Sequence, residues 1–196
     1  MSKGRLEAFS DGVIAILITI MVLELHMPDG VTWEALRHEV PVLLAYALSF
    51  VYLGIYWNNH HHMLAAVRRI NGAALWANLH LLFWLSLVPF ATGWMSENGF
   101  PPVPTAVYGI VLLAAAVAYY VLQGTLLRAR GNDLLAEAIG GDLKGKASPY
   151  LYCLAIALSL VQPWLGVVVY VGVALMWLVP DRRLERRVTA AGTESP

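Results

Sequence analysis

Residues 5–24 read Arg-Leu-Glu-Ala-Phe-Ser-Asp-Gly-Val-Ile-Ala-Ile-Leu-Ile-Thr-Ile-Met-Val-Leu-Glu, and this stretch decides the fold. It is an apolar helix long enough to cross a bilayer, yet it carries Ser10 and Asp11 near its start and Thr19 near its middle. An ionisable group on a membrane helix costs at least a few kcal/mol, so it is rarely present without a task. At roughly 100° per residue, Phe9, Gly12, Ile16, Thr19, Ile20 and Leu23 fall on one stripe about 60° to either side of its centre. Ser10 and Asp11 point roughly 120–140° away from it. One face is thus a continuous apolar stripe with a single hydroxyl, and another carries polar groups that need protein partners.

Composition agrees with a membrane protein. Of 196 residues, 59% are hydrophobic and 13% are charged, about half the ~25% typical of soluble domains. The formal net charge is zero, which gives no reason to expect nucleic acid as a partner. The one cysteine, Cys153, lies in an apolar run, so no intrachain disulfide or paired-cysteine metal site can form.

Runs near ~20 residues mark membrane spans. They occur at Ala8–Leu25, Val40–Trp57, Leu75–Met95 and Ala106–Leu127. Two shorter runs, Ser148–Gln162 and Trp164–Val179, flank Pro163 and read as a tight pair of thin spans or as a re-entrant hairpin. Leu134–Ile139, in the longest polar loop, is expected to form a short surface helix. Residues 1–180 thus form one all-α membrane domain of six helices, and 181–196 a polar tail. With the N-terminus inside, only Arg37 of the 13 basic residues falls outside. This asymmetry fits an even number of spans and places both termini in the cytoplasm. Trp57, Trp76, Trp94, Trp164 and Trp177 fall at span ends, where amphipathic rings favour the headgroup region.

The candidate sites divide into polar and apolar groups. Ser10 and Asp11 serve either as caps of an N-terminal turn or as a buried bracket to neighbouring helices. Partners for a bracket stand at the same membrane depth: Arg5 on the first helix, Trp57 and His60 on the second, and Asn78 on the third. His60, His61 and His62 are consecutive and point ~100° apart on a helix, so they cannot close on one metal ion. No metal or other cofactor is expected. Ser10, Asp11 and His60 supply the residue types of a hydrolase triad, but Ser10 and Asp11 are adjacent and no nucleophile or phosphate-loop motif accompanies them. The chain is not read as an enzyme. The stripe through Ile16, Thr19, Ile20 and Leu23 either packs within the subunit or lines a pathway, and spacing alone leaves both open.

The string Arg5-x-x-x-Phe9-Ser10-Asp11-Gly12-Val13-x-Ala15-Ile16-x-x-Thr19-x-x-x-Leu23-Glu24 resembles the first-helix signature of the transmembrane protein 175 potassium channels, in their bacterial single-repeat form. Tyr56-Trp57-x-x-His60-His61, Asn78 and Pro89-Phe90-x-Thr92 continue the likeness. The resemblance implies a homotetramer in the plasma membrane whose four first helices line a potassium pore. Ile16, Ile20 and Leu23 would then form apolar constrictions, and Thr19 a hydroxyl ring visited transiently by potassium. Arg5, Ser10, Asp11, Trp57, His60 and Asn78 would form a structural polar network away from the ion. Two alternatives from other classes are a proton-coupled secondary transporter with Asp11 and His60 as relay, and a non-conducting membrane scaffold.

Overall fold

The structure is a computed structural model and describes residues 2–129, 132, 135 and 143–178. The described residues are helical, with short connections. Helix α1 (Lys3–Met21) runs on into a single tighter turn at Val22–Glu24. Helix α2 (Trp33–Ala65) is followed by α3 (Gly72–Ser86), α4 (Val88–Glu97), α5 (Pro102–Leu127), α6 (Leu143–Val161) and α7 (Pro163–Leu178). Four units are long and apolar enough to cross a membrane: α1 with its last turn, α2, α3 together with α4, and α5. The expected helix at Leu134–Ile139 lies outside the described residues except for Leu135, and so does the tail from residue 181.

Local chemistry sets the helix ends. The Thr32 hydroxyl accepts from the Ala35 N–H at 3.2 Å, and the Asn71 carbonyl oxygen accepts from the Ala74 N–H at 2.9 Å. Each satisfies an orphan donor in the first turn of the helix that follows. The run Leu75–Met95, read as one span, is broken between Ser86 and Val88. Pro89 has no N–H to give to Leu85, and its ring clashes with that carbonyl in a continuous helix, so the chain restarts with the proline in the first turn of α4. The residues after α4 turn sharply at Gly99 and Phe100, both with positive φ. Phe100 accepts the unfavourable backbone at φ 60° because its ring is buried against Trp164, with centroids 4.8 Å apart.

The last two helices form one antiparallel hairpin hinged at Gln162. Ser159 faces Tyr170 near the hinge, and Ser148 faces Trp177 at the far end. At ~1.5 Å per residue, α6 and α7 reach about 28 and 24 Å. Part of α6 is the polar turn around Lys144 and Lys146, which accounts for the short apolar run ahead of Pro163.

Helix α5 is the hub, packed against α3, α4, α6 and α7. Close approach there depends on missing side chains. A Cβ on Gly109 would overlap the Tyr170 hydroxyl and come within 2.8 Å of Ile156. One on Gly166 would overlap the Ser159 hydroxyl and come within 2.9 Å of the Ala155 carbonyl. In lipid, where helices gain little from the hydrophobic effect, small residues of this kind permit the contacts that hold a bundle together.

Gly109→Ala and Gly166→Ala are therefore expected to cost about 1–3 kcal/mol each through overpacking. Gly124→Ala, with no neighbouring atom within 4 Å of its Cβ, should be neutral or slightly stabilising. Thermal unfolding midpoints of the three purified variants in one detergent check the ranking.

Candidate functional site

Helix α1 lies at the edge of the bundle and packs on α2, α3 and α4. Its inward residues are Leu6, Ser10, Ile14, Leu17 and Met21, spaced four, four, three and four apart. The repeat keeps one narrow face turned towards the subunit. The opposite face is bare: Phe9 is 49% exposed, Ile16 56%, Ile20 42% and Leu23 80%. Gly12 and Thr19 are also exposed. Among the described residues, the stripe does not pack inside the subunit.

Polar contacts near the start of α1 hold that orientation. The Ser10 hydroxyl donates to the Leu6 carbonyl at 2.9 Å and accepts from the Asn78 amide at 2.9 Å. The Asn78 carbonyl oxygen meets His60 Nε2 at 2.7 Å. Because that oxygen can only accept, the ring carries its proton on Nε2. Ser10, Asn78 and His60 are all fully or almost fully buried. Beside them, the Trp57 indole N–H donates to Asp11 Oδ1 at 3.0 Å in a more exposed setting. Two neighbouring residues on α1 thus reach two different helices, because their side chains diverge by about 100°.

Three details go beyond the sequence pattern. His60 is bonded to Asn78 rather than to Asp11, so no direct hydrogen bond joins the two groups of the relay reading. Arg5 is exposed and has no hydrogen bond or ion pair within the described residues. The physical reason is phase: Arg5 lies eleven residues, about three full turns, before Ile16 and shares the bare face. Lys3 takes the tethering position instead, donating to the Ala65 carbonyl at 3.1 Å and facing Glu7 at 3.7 Å. Its spacing from Glu7 was the only sequence signal for this.

Thr19 is the one hydroxyl on the bare face. Its Oγ1–H is shared between the Ala15 and Ile16 carbonyls, at 3.1 and 3.0 Å. A hydroxyl has one proton and two lone pairs. With the proton turned back into the helix, what Thr19 offers outward is an electron-rich oxygen, suited to a cation and not to an anion.

No group of three or more metal-ligating side chains is found among the described residues.

Removing the buried amide should cost more than removing the exposed carboxylate. Asn78→Ala leaves His60 without its partner and Ser10 with only its bond to Leu6, and is expected to lower stability by about 1–3 kcal/mol. Asp11→Ala frees only a half-exposed indole N–H and is expected to cost less than ~1 kcal/mol. Comparing the two unfolding midpoints tests the ranking.

The comparisons with known proteins can be set against this geometry. The family profile described as endosomal/lysosomal potassium channel TMEM175 matches residues 5–89, which hold α1, the bracket and the break ahead of Pro89. A protein of Chryseobacterium sp. named as a potassium channel is 52% identical over 187 residues, covering 95% of this chain and 97% of that one. A chicken (Gallus gallus) protein named endosomal/lysosomal proton channel TMEM175 is 35% identical over 109 residues, spanning half of this chain but 22% of that one. The crystal structure of a lysosomal potassium-selective channel TMEM175 homolog from Chamaesiphon minutus superposes with a TM-score of 0.77 at 33% identity. That match covers 90% of this chain and 96% of the other. The 52% identity to the Chryseobacterium protein over nearly the whole of both chains, a shared fold and the matched first-helix signature together place this multi-pass membrane chain in the TMEM175 family.

Proposed function

We propose that this chain is a subunit of a potassium-permeable channel, formed when four copies bring their first helices together around a central pathway. The carrying observation is the bare face of α1, where Ile16, Thr19, Ile20 and Leu23 project away from their own subunit. The reading is supported by the potassium-channel names of bacterial relatives that match most of this chain. Both termini are placed in the cytoplasm on the distribution of basic residues, of which only Arg37 falls outside, and the plasma membrane follows from the likeness to the bacterial single-repeat channels.

In such an assembly, Ile16 forms the narrowest ring and Ile20 and Leu23 form apolar rings beyond it. A ring of isoleucines closes a pore by dewetting, so a small widening or rotation of the four helices opens it. An ion crossing the ring sheds part of its hydration shell, and potassium does so at lower cost than sodium. The outward lone pairs of Thr19 replace some of the lost water. With no ring of backbone carbonyls, the preference for potassium is modest.

A transporter with Asp11 and His60 as relay is the weaker reading, because each is bonded to a different partner. A non-conducting scaffold is separated from a channel by experiment. Native mass measurement of the purified protein should give a tetramer, and a species that is only monomeric would overturn the pore.

In liposomes, Ile16→Ala and Ile16→Asn are both expected to raise potassium flux and to reduce its excess over sodium flux. Each ~1.4 kcal/mol removed from the dewetting barrier multiplies flux about tenfold. Thr19→Ala should weaken the potassium preference without stopping conduction. If Ile16 only packs against a partner helix, Ile16→Ala instead leaves a cavity costing roughly 2–5 kcal/mol. Lower thermal stability with unchanged permeability would then be seen on the same preparation.

A further inference from the structure

A second feature lies inside each subunit, apart from the bare face of α1. Helices α2, α5, α6 and α7 enclose a cavity of about 500 Å³, including its open mouth, lined by Tyr52, Tyr56, Tyr119, Tyr152 and Trp177 among others. Small-molecule sites are typically aromatic walls with a few placed polar groups. The rings meet at angles: Tyr52 and Tyr152 are inclined by 49° with centroids 6.4 Å apart, and Tyr56 and Tyr119 by 63° at 6.3 Å. Two such corners suit a flat ring placed edge-to-face or offset against them.

The polar groups on the wall narrow the ligand class. Among the described residues, no Asp, Glu, Lys, Arg or His lines the cavity, so a charged guest would meet no counter-ion on this wall, at high cost. Several of the wall's hydrogen-bonding groups are already engaged. The Tyr52 hydroxyl donates to the Tyr170 carbonyl at 2.7 Å, Tyr119 to the Asn59 carbonyl at 3.2 Å, and the Trp177 N–H to the Ser148 hydroxyl at 2.9 Å. Asn59 spends its amide N–H on the Ile55 carbonyl at 2.9 Å, which leaves Oδ1 as an acceptor with no donor among the described residues. The Tyr56 hydroxyl likewise has no hydrogen bond among them. Tyr56 and Asn59 are three residues apart on α2, so the two groups are neighbours on one helical face. A single hydroxyl on a guest could donate to Asn59 Oδ1 and accept from Tyr56 at once.

We infer that this cavity is a binding site for a neutral phenol, its ring held between the tyrosine corners and its hydroxyl on Asn59 and Tyr56. The inference stands independently of the pore, although the site abuts the turn of α2 that carries Trp57 and His60.

The test uses 4-fluorophenol and fluorobenzene as probes, followed by ¹⁹F NMR on the full chain in lipid nanodiscs. A saturable bound resonance at one site per chain is expected for 4-fluorophenol, with fluorobenzene at least about tenfold weaker. Ala116→Phe, which fills the cavity wall, should abolish the bound resonance, and Asn59→Leu should bring the two probes to similar affinity. If Ala116→Phe does not yield folded protein, Ala116→Leu gives the same reading with a smaller plug. A resonance that survives filling, or equal binding of the two probes to the native chain, reports partition into lipid and overturns the site. Saturable binding that appears only after delipidation overturns it too, since an acyl chain then occupies the cavity in the membrane.

Discussion

The structure depends on the rotation of α1 about its own axis, and that rotation is fixed by buried hydrogen bonds. In the hydrocarbon interior no water is available to an unpaired amide or hydroxyl, so polar side chains there must find one another. Asn78 does this for three elements at once: it donates to Ser10 on α1 and meets His60 on α2 from its own place on α3. Trp57 adds a second tie, to Asp11. Moving α1 by one residue would turn it by about 100° and break both ties together. The apolar stripe can then point only one way, out of the subunit.

The other half of the bundle is held by different means. There the polar groups are mostly hydroxyls, bonded to nearby carbonyls or to one another: Ser159 to Ala155 and Tyr170 to Thr105 among α5, α6 and α7, and Ser49 of α2 with Thr92 of α4 and Tyr108 of α5. Tyr170 enters the space left by Gly109, and the Gly166 backbone lies where Ser159 and Ala155 leave no room for a Cβ. The Tyr52 hydroxyl, bonded to the Tyr170 carbonyl, joins this half to α2 and so to the bracket.

Much of the first half was legible in the sequence because each signal there is both periodic and chemical. An apolar run with Ser10 and Asp11 off the stripe implies a helix with one bonded face and one bare face. Trp57, His60 and Asn78 stand at the depth where partners are needed. The pairing itself was not legible, since His60 could bond Asp11 or Asn78, and only the relative rotation of α2 and α3 decides. The setting of Arg5 was not legible for a similar reason: its helical phase sets it with Ile16, where it has no hydrogen bond or ion pair among the described residues. The break ahead of Pro89 was not legible in the run Leu75–Met95, because prolines are tolerated in membrane helices. In the second half, the roles of Gly109 and Gly166 depend on which helices cross there, and no local pattern carries that.

The break in the third span gives the bracket a mechanical meaning. Asn78 lies on α3, below the break, and secures the first turns of α1. The far end of α1 rests on α4, above the break, where the Glu24 carboxylate lies 3.3 Å from the position a Cβ would take on Gly93. The two ends of α1 are thus supported by two separate helices, joined through Leu87. A continuous helix would transmit any displacement of its upper part directly to Asn78 and strain the buried bonds. With the restart at Val88, the two supports of α1 belong to separate helices, and α4 is itself held on α2 and α5, with Ser49 of α2 bonded to its Thr92 at 2.7 Å.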